Sequence, residues 1–544
     1  MKETPNKKQS FIQGAAMLAA TVAVVKIVGA IYKIPLYNIL GDEGTAHFTI
    51  AYSIFSVLLT LSTAGLPVAL SRMVAAANAK GRHMQVKRIF RVALAAFFVL
   101  GAIGTLIMLL FPQRLAAAMD NVEAARSILA LSPAVVLVCL MSAYRGYTQG
   151  LSDMVPTSVS QIIEVLCKLV FGLSLAWLFL KKGYGLPTAS AGAIIGVTIG
   201  ELIGLLYCMF YKLKTDASAS SPTPLPELTD SRRATLLQLA KIGIPIAVSS
   251  SVVNLIALAD AKLILNRLQY AAGFTFDEAK VLFGVYSKVQ TLFNFPSAFI
   301  VPLTISAIPA ISVYLTKREN DKARGIAEAS IKLTNLFAIP AGVGLAVLAY
   351  PIMNVLYPGS HATGPALLIW LGASSYFVCL MLSTNAVLQA YGFERFPIYT
   401  IIAGGAVKVA LNWILVGNPQ LAAKGAAIAS LACYAVISAI NLIVLRVRIK
   451  GGPRLARLFI KPLISSAFMG LAAVFVYKGV SVLALSAGLD TQSRLWMGVC
   501  MLAAIVIAVV VYFIAIVLTK AITADDLALV PKGSKISRIL RIKM

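Results

Sequence analysis

The chain alternates long apolar runs with short polar connections, and the runs recur at about the 20 residues that a helix needs to cross a bilayer. They predict crossings near 11–37, 46–71, 89–111, 127–149, 157–180, 188–211, 236–265, 281–315, 329–351, 364–391, 397–417, 425–445, 460–480 and 494–519. The fold class is therefore an all-α polytopic membrane protein with about fourteen transmembrane helices. The 281–315 run is longer than one crossing and contains Pro296, Pro302 and Pro309, so a kinked helix extending past the membrane is expected there.

The pattern repeats. VCLM occurs at Val138–Met141 and again at Val378–Met381, followed at the same offset by Gln149 or Gln389 and at nearly the same offset by Pro156 or Pro397. Each copy leads into an apolar helix with a lysine, Lys168 or Lys408, and then a tryptophan, Trp177 or Trp413. AYS at 51–53 echoes VYS at 285–287. Two six-helix lobes in the same orientation are expected, and parallel repeats of this kind place a substrate site between the halves. The expected parts are an N-lobe over 1–211, a Ser/Pro-rich flexible linker over 212–235 and a C-lobe over 236–448. Two further helices over 449–519 have no partner in the repeat, and a basic tail follows over 520–544.

Composition agrees. Of 544 residues, 59% are hydrophobic and only 13% charged, about half the charged share of a soluble protein. The net charge of +27 raises nucleic acid as a partner, but the bases cluster in alternate connections, as the positive-inside rule requires, so none is expected. Lys80, Arg82, Lys87 and Arg88 form one such cluster; Lys212, Lys214, Arg232 and Arg233 form the next. Later clusters are Lys317, Arg318, Lys322 and Arg324, and then Arg446 to Arg457. This predicts cytoplasmic N- and C-termini in a cell membrane. Two readings of the SKISRILRIK tail stand: contact with anionic lipid of the inner leaflet, or a disordered basic end. The N-terminus also raises a cleaved signal peptide, but the charged, longer continuation through Lys26 to Tyr37 favours a retained first helix.

Charges inside the crossings change the picture most. Lys26 and Lys33 lie two helical turns apart on one stripe of the first helix. A lysine deep in a bilayer costs about 2.5–3.5 kcal/mol, so these are expected to face a wet cavity rather than lipid; snorkelling or carboxylate pairing is the alternative. Arg145, Lys168, Lys288 and Lys408 add to them, against Glu164, Glu201 and Asp260. Glu164 and Lys168, four apart, are placed to neutralise each other. Lys408 shares a helical face with Asn412, and Arg145 with Gln149; for Arg145 and Lys288 snorkelling is the rival reading. The basic surplus favours a phosphate or diphosphate as cargo.

Other chemistry is thinly represented. The six cysteines all fall in apolar runs without metal-like spacing, and the three histidines are scattered, so neither metal nor disulfide is expected. Gly192, Gly196, Gly200 and Gly204 form a small-residue ladder for close helix packing. No G-x-x-x-x-G-K-[ST], G-x-S-x-G or H-E-x-x-H is present. A non-enzymatic protein without a cofactor is expected, driven by Na+ or H+ coupling, the membrane potential or the cargo's own gradient.

KIVGAIYKIPLYNILGDEG, followed by AYSIFSVLLTLSTAGLPVALSRMVA, resembles the opening of the lipid II flippase and stage V sporulation protein B branch of the multidrug/oligosaccharidyl-lipid/polysaccharide exporter superfamily. The resemblance covers essentially the whole chain. It implies alternating access between two lobes, a cationic cavity for the diphosphate of a polyprenyl-linked sugar, most of all lipid II, and a lipid-tail groove on the last two helices. Another lipid-linked polysaccharide unit is one alternative cargo, and cation-coupled drug export and a scaffold for cell-wall synthesis proteins are rival functions. On this resemblance Lys26 takes a basic first-helix position, Lys33 lies beside the next, and Arg72 fits a basic position at the end of the second helix. Asp260 and Asn412 match two members of a sodium site found in some relatives; the third position holds Val416. The expected partners are an anionic lipid-linked sugar and membrane lipid, with the protein acting as a monomer.

Overall fold

The computed structural model describes residues 11–60, 65–218, 230–393, 395–448, 455–491, 493–519 and 521. The described chain is helical, with no strand among these residues. Eleven described helices are long and apolar enough to cross a membrane. The Ser/Pro-rich part of the expected linker (219–229) and the tail from 522 lie outside the described residues.

The chain forms two compact units, Met1–Asn266 and Arg267–Met544. The first holds α1 (Phe11–Thr60), α2 (Leu66–Ala79), α3 (His83–Leu110), the short α4 (Pro112–Ala118) and α5 (Ala125–Gly150). A further crossing combines α6 (Val155–Cys167), a π-helical turn at Lys168–Gly172 and α7 (Leu173–Lys181); α8 (Leu186–Ser218) follows. Most of α9 (Arg232–Tyr270) completes the unit. Within Phe11–Thr60 the helix is interrupted at Gly41, between the first two expected crossings, so two helices meet at a kink there; the φ of 69° at Gly41 favours glycine.

The division at Asn266 falls later than the expected linker. The reason lies in α9's contacts within the first unit. Asp230, just ahead of α9, accepts from Gln85 Nε2 at 3.0 Å and donates its backbone N–H to Gln85 Oε1 at 3.0 Å. Farther along, Asn254 bonds Thr60, and a β-carbon on Gly243 would come within 2.7 Å of the Leu66 side chain.

The second unit holds α10 (Phe276–Thr316), α11 (Asn320–Val347), the short α12 (Ala349–Leu356) and α13 (Gly364–Ala390). It continues with α14 (Phe396–Leu415), α15 (Ala423–Arg448), α16 (Leu455–Ser486) and α17 (Arg494–Leu518). The long 281–315 run is one continuous 41-residue helix that passes through all three prolines. The last two helices pair with each other; α16 also packs on α11, and α17 on α12. Tyr512 donates to Leu336 O at 2.5 Å, and Asn335 donates to Leu458 O at 3.1 Å, so polar side chains tie this pair to α11.

Each unit is built around one helix. In the first, α5 packs against α2, α3 and α8; in the second, α13 packs against α10, α11 and α15. These hub helices carry the two VCLM copies, whose cysteines are buried. The duplication read from sequence is thus a duplication of packing.

Candidate functional site

The glycine ladder of α8 explains how charged side chains meet inside the first unit. A β-carbon on Gly196 would collide with the Gly172 backbone, and one on Gly200 would lie 3.0 Å from Glu164 O. The ladder therefore seats α8 directly on α6 and the π-turn. Glu201, beside Gly200, is buried and reaches Lys168, with Oε1 3.6 Å from Nζ. Arg145 on α5 pairs with Glu164 on α6 and donates from Nε to Ser160 Oγ at 2.9 Å. Ser160 Oγ in turn donates to Pro156 O at 2.6 Å.

The expected Glu164–Lys168 pairing is therefore corrected. The two share a helix, but each is satisfied across a helix interface, where the partner can approach end-on. Arg145 is correspondingly an ion-pair member rather than a snorkelling side chain. Its expected face-mate Gln149 donates instead to Thr157 Oγ1 at 3.1 Å. The result is a cluster of two bases and two acids. One atom stands out: Glu201 Oε2 is buried without a hydrogen-bond partner, a place where a proton or small cation would be satisfied.

The other expected residues are dispersed. Within the first unit Lys26 is exposed and Lys33 half-buried on α1, Arg72 is exposed on α2, and Asp260 is buried on α9. Within the second, Lys288, Lys408 and Asn412 are buried. The Lys288 ammonium sits 5.6 Å from the Tyr357 ring centroid, a cation–π contact.

The duplication lets the two units be compared position by position. Setting Val138–Met141 on Val378–Met381 without gaps carries Arg145 onto Asn385, Glu164 onto Gly404 and Lys168 onto Lys408. For the next helix the packing fixes the register. Gly192 is seated against Leu175 as Gly425 is against Leu415, and that match carries Glu201 onto Tyr434 and Cys208 onto Asn441. The same alignment holds at a second contact, Gly200 against Glu164 and Gly404 against Cys433 O. Asn441 donates to Asn385 Oδ1 at 2.8 Å, so a neutral amide pair replaces the Arg145 neighbourhood. Only the lysine is common to both copies.

A second polar group was missed in the sequence. His47, fully buried, places Nδ1 3.0 Å from Asn121 Oδ1 and Nε2 3.4 Å from Glu123 and 4.0 Å from Glu43. The ligand atoms of His47, Glu43 and Glu123 lie within 4.8 Å of one another, a grouping able to hold a metal ion. The histidines are mutually scattered, as expected, but this partner set spans two connections and has no sequence spacing. The six cysteines are free thiols, five of them buried.

Comparison with known proteins fits this architecture. Residues 11–315 match the family described as polysaccharide biosynthesis protein. The chain is 29% identical to the uncharacterized membrane protein YabM of Bacillus subtilis (strain 168), over 98% of this chain and 97% of that protein. It is 28% identical to stage V sporulation protein B of the same organism, over 78% of this chain and 81% of that one. Lipid II flippase MurJ, also of Bacillus subtilis, is 26% identical over 86% and 88% of the respective chains. Among solved structures, lipid II flippase MurJ in an inward closed conformation has a TM-score of 0.65, at 15% identity over 92% of this chain and 98% of that one, which shows a shared fold. The chain belongs to the polysaccharide biosynthesis protein family of the multidrug/oligosaccharidyl-lipid/polysaccharide exporter superfamily, as a multi-pass membrane transporter.

Proposed function

We propose that this transporter moves a polyprenyl-diphosphate-linked saccharide, most specifically lipid II, from the inner to the outer leaflet by alternating access. The observation that carries the reading is the charge balance of the membrane helices. Glu164 and Glu201, the glutamates within the first unit's expected crossings, face Arg145 and Lys168, so the remaining intramembrane inventory is Lys26, Lys33, Lys288 and Lys408 against Asp260. Charges placed in a membrane mark the path of what is carried, and this balance asks for an anion. A diphosphate supplies two or more negative charges and several acceptor oxygens. The name of the relative lipid II flippase MurJ supports the same class of cargo.

In this reading Lys26, Lys33, Lys288 and Lys408 take the diphosphate, with Arg72 at the end of the path. Arg145 and Lys168 act through the ion cluster instead. Glu201 is the first candidate for ion coupling, because its second oxygen is buried and unbonded; Glu164, Asp260 and Asn412 are the others. Both termini are cytoplasmic, which puts the basic connections on the side where the cargo is made. Reconstitution in liposomes tests the proposal. Labelled lipid II should cross faster than lipid alone, and Lys26→Ala should abolish crossing while the protein still inserts and melts normally. Equal movement of a differently glycosylated polyprenyl diphosphate would widen the cargo to the class. No movement of either, with gradients and potential imposed, would overturn the reading in favour of drug export.

A further inference from the structure

A second lipid-binding feature lies away from the charged cluster, between α3 and α9 of the first unit. The two helices are joined at one end by the Asp230 clamp, where Arg82 lies 3.6 Å from the carboxylate and Arg88 donates to Asp230 O at 2.8 Å. Beyond the groove, Gly243 of α9 is seated on Leu66 of α2. Between these fixed points α3 and α9 enclose a cavity of about 930 Å³. At its clamped end stand Arg88, Arg91, Arg232 and Arg233; the rest of the wall is Met, Val, Ala and Leu, and no acidic residue lines it.

We infer that this groove is a binding site for a resident anionic glycerophospholipid of the bilayer. Three observations select that occupant. The cavity is amphipathic along its length, with guanidinium forks at one end to take a phosphate and a hydrocarbon wall beyond them. Its depth fits one leaflet: from Arg88 to Leu100 the helix rises roughly 18 Å, against about 15 Å for half of a 30 Å hydrocarbon core. The charge is one-sided, because four bases line the mouth and the nearby acid, Asp230, is already held by Gln85, Arg82 and Arg88. Basic pockets between transmembrane helices recognise phospholipid headgroups in this manner. A lipid here would fill the gap between α3 and α9 within the first unit.

The test is lipid retention by the full-length protein. Wild type, extracted from membranes of mixed phosphatidylglycerol and phosphatidylcholine, should keep phosphatidylglycerol well above its bulk fraction in native mass spectrometry. The triple variant Arg91→Gln, Arg232→Gln, Arg233→Gln should lower that occupancy by roughly tenfold or more. Ala96→Trp keeps every charge but fills the wall, and should expel the lipid as well. Equal retention by the triple variant would overturn the proposal. So would loss in the triple variant with full retention by Ala96→Trp, because that pattern describes surface attraction without a groove. If the triple variant fails to fold, Ala96→Trp alone decides, with retention overturning the assignment.

Discussion

The two units share a scaffold and differ in charge. Both wrap their neighbours around a hub helix carrying VCLM, and both seat a small residue of the following helix against the same leucine, Leu175 or Leu415. Yet where the first unit has Arg145, Glu164, Lys168 and Glu201, the second has Asn385, Gly404, Lys408 and Tyr434. Between Glu328 and Asp490 the sequence offers a single acid, Glu394. Packing and electrostatics have thus separated. The first unit compensates its half-buried Lys168 from within, at the cost of burying Glu201 and half-burying Glu164. The second holds Lys408 on a helix whose neighbours in the unit bring no carboxylate to the equivalent places. In the proposed function, the substrate's diphosphate supplies the negative charge there.

The largest effect expected from this contrast is on stability in the first unit. Glu201→Ala leaves the half-buried Lys168 beside an empty site; breaking a fully buried pair from one side costs about 3–5 kcal/mol, which sets the upper limit here. Unfolding in detergent should show that loss, and the double variant Lys168→Met, Glu201→Leu should recover most of it, because neither charge is then stranded. A single variant as stable as wild type would mean that the pair does not hold the unit together.

Lys408→Ala should show the opposite pattern. Unfolding should stay within about 1 kcal/mol of wild type, because Asn385, Gly404 and Tyr434 put no carboxylate at the counterparts of the first unit's charged positions. Transport of lipid II should fall by about 10- to 100-fold, the equivalent of one charge-assisted hydrogen bond to phosphate at about 1.5–3 kcal/mol. Transport at the wild-type rate would remove Lys408 from the path.

Tyr434→Glu sharpens the comparison by writing the first unit's pattern into the second. It places a carboxylate at the counterpart of Glu201 and so gives Lys408 an internal counter-ion. Transport should drop by about tenfold while the protein folds, since the lysine's charge is then spent inside the protein. An unchanged rate would break the register that equates Tyr434 with Glu201.

How much of this was legible in the sequence follows from what each signal depends on. Crossings and repeats are written locally, in runs of apolar residues and in short echoes such as VCLM, and the helices follow them. The break at Gly41 was legible in the same way: it falls in the GDEG connection between the first two expected crossings, at a residue whose φ of 69° favours glycine. Glu164 and Lys168 have the spacing of a helical ion pair and do not form one, because side chains on facing helices meet more directly once glycines bring the backbones together. No one-dimensional spacing relates Lys168 to Glu201, or His47 to Glu123. What the sequence does show is that these are isolated charges within or beside apolar runs, which obliges each to find a partner.

The smallest effect concerns a carboxylate of the second unit that stands at a helix end in reach of water, Glu278. Thr275 caps α10, its Oγ1 accepting the Glu278 N–H at 3.3 Å, while Glu278 Oε2 accepts from the Thr275 N–H at 2.9 Å and hydroxyl at 2.8 Å. In the first unit α3 begins without such a cap. The Thr275 backbone bond first, and then the hydroxyl, holds the Glu278 carboxyl below its ordinary value. A group depressed in this way stabilises the folded turn at pH above the ordinary carboxylate range, and that contribution is lost as pH falls through the depressed value. Amide hydrogen exchange, corrected for intrinsic rates, should therefore show the first turn of α10 fraying as pH is lowered through that range. The effect should be slight, because the group is fully exposed and solvent screens it. Glu278→Gln keeps the geometry without the titration, so its first turn should exchange independently of pH. Fraying of the same size in that variant would assign the pH response to another group.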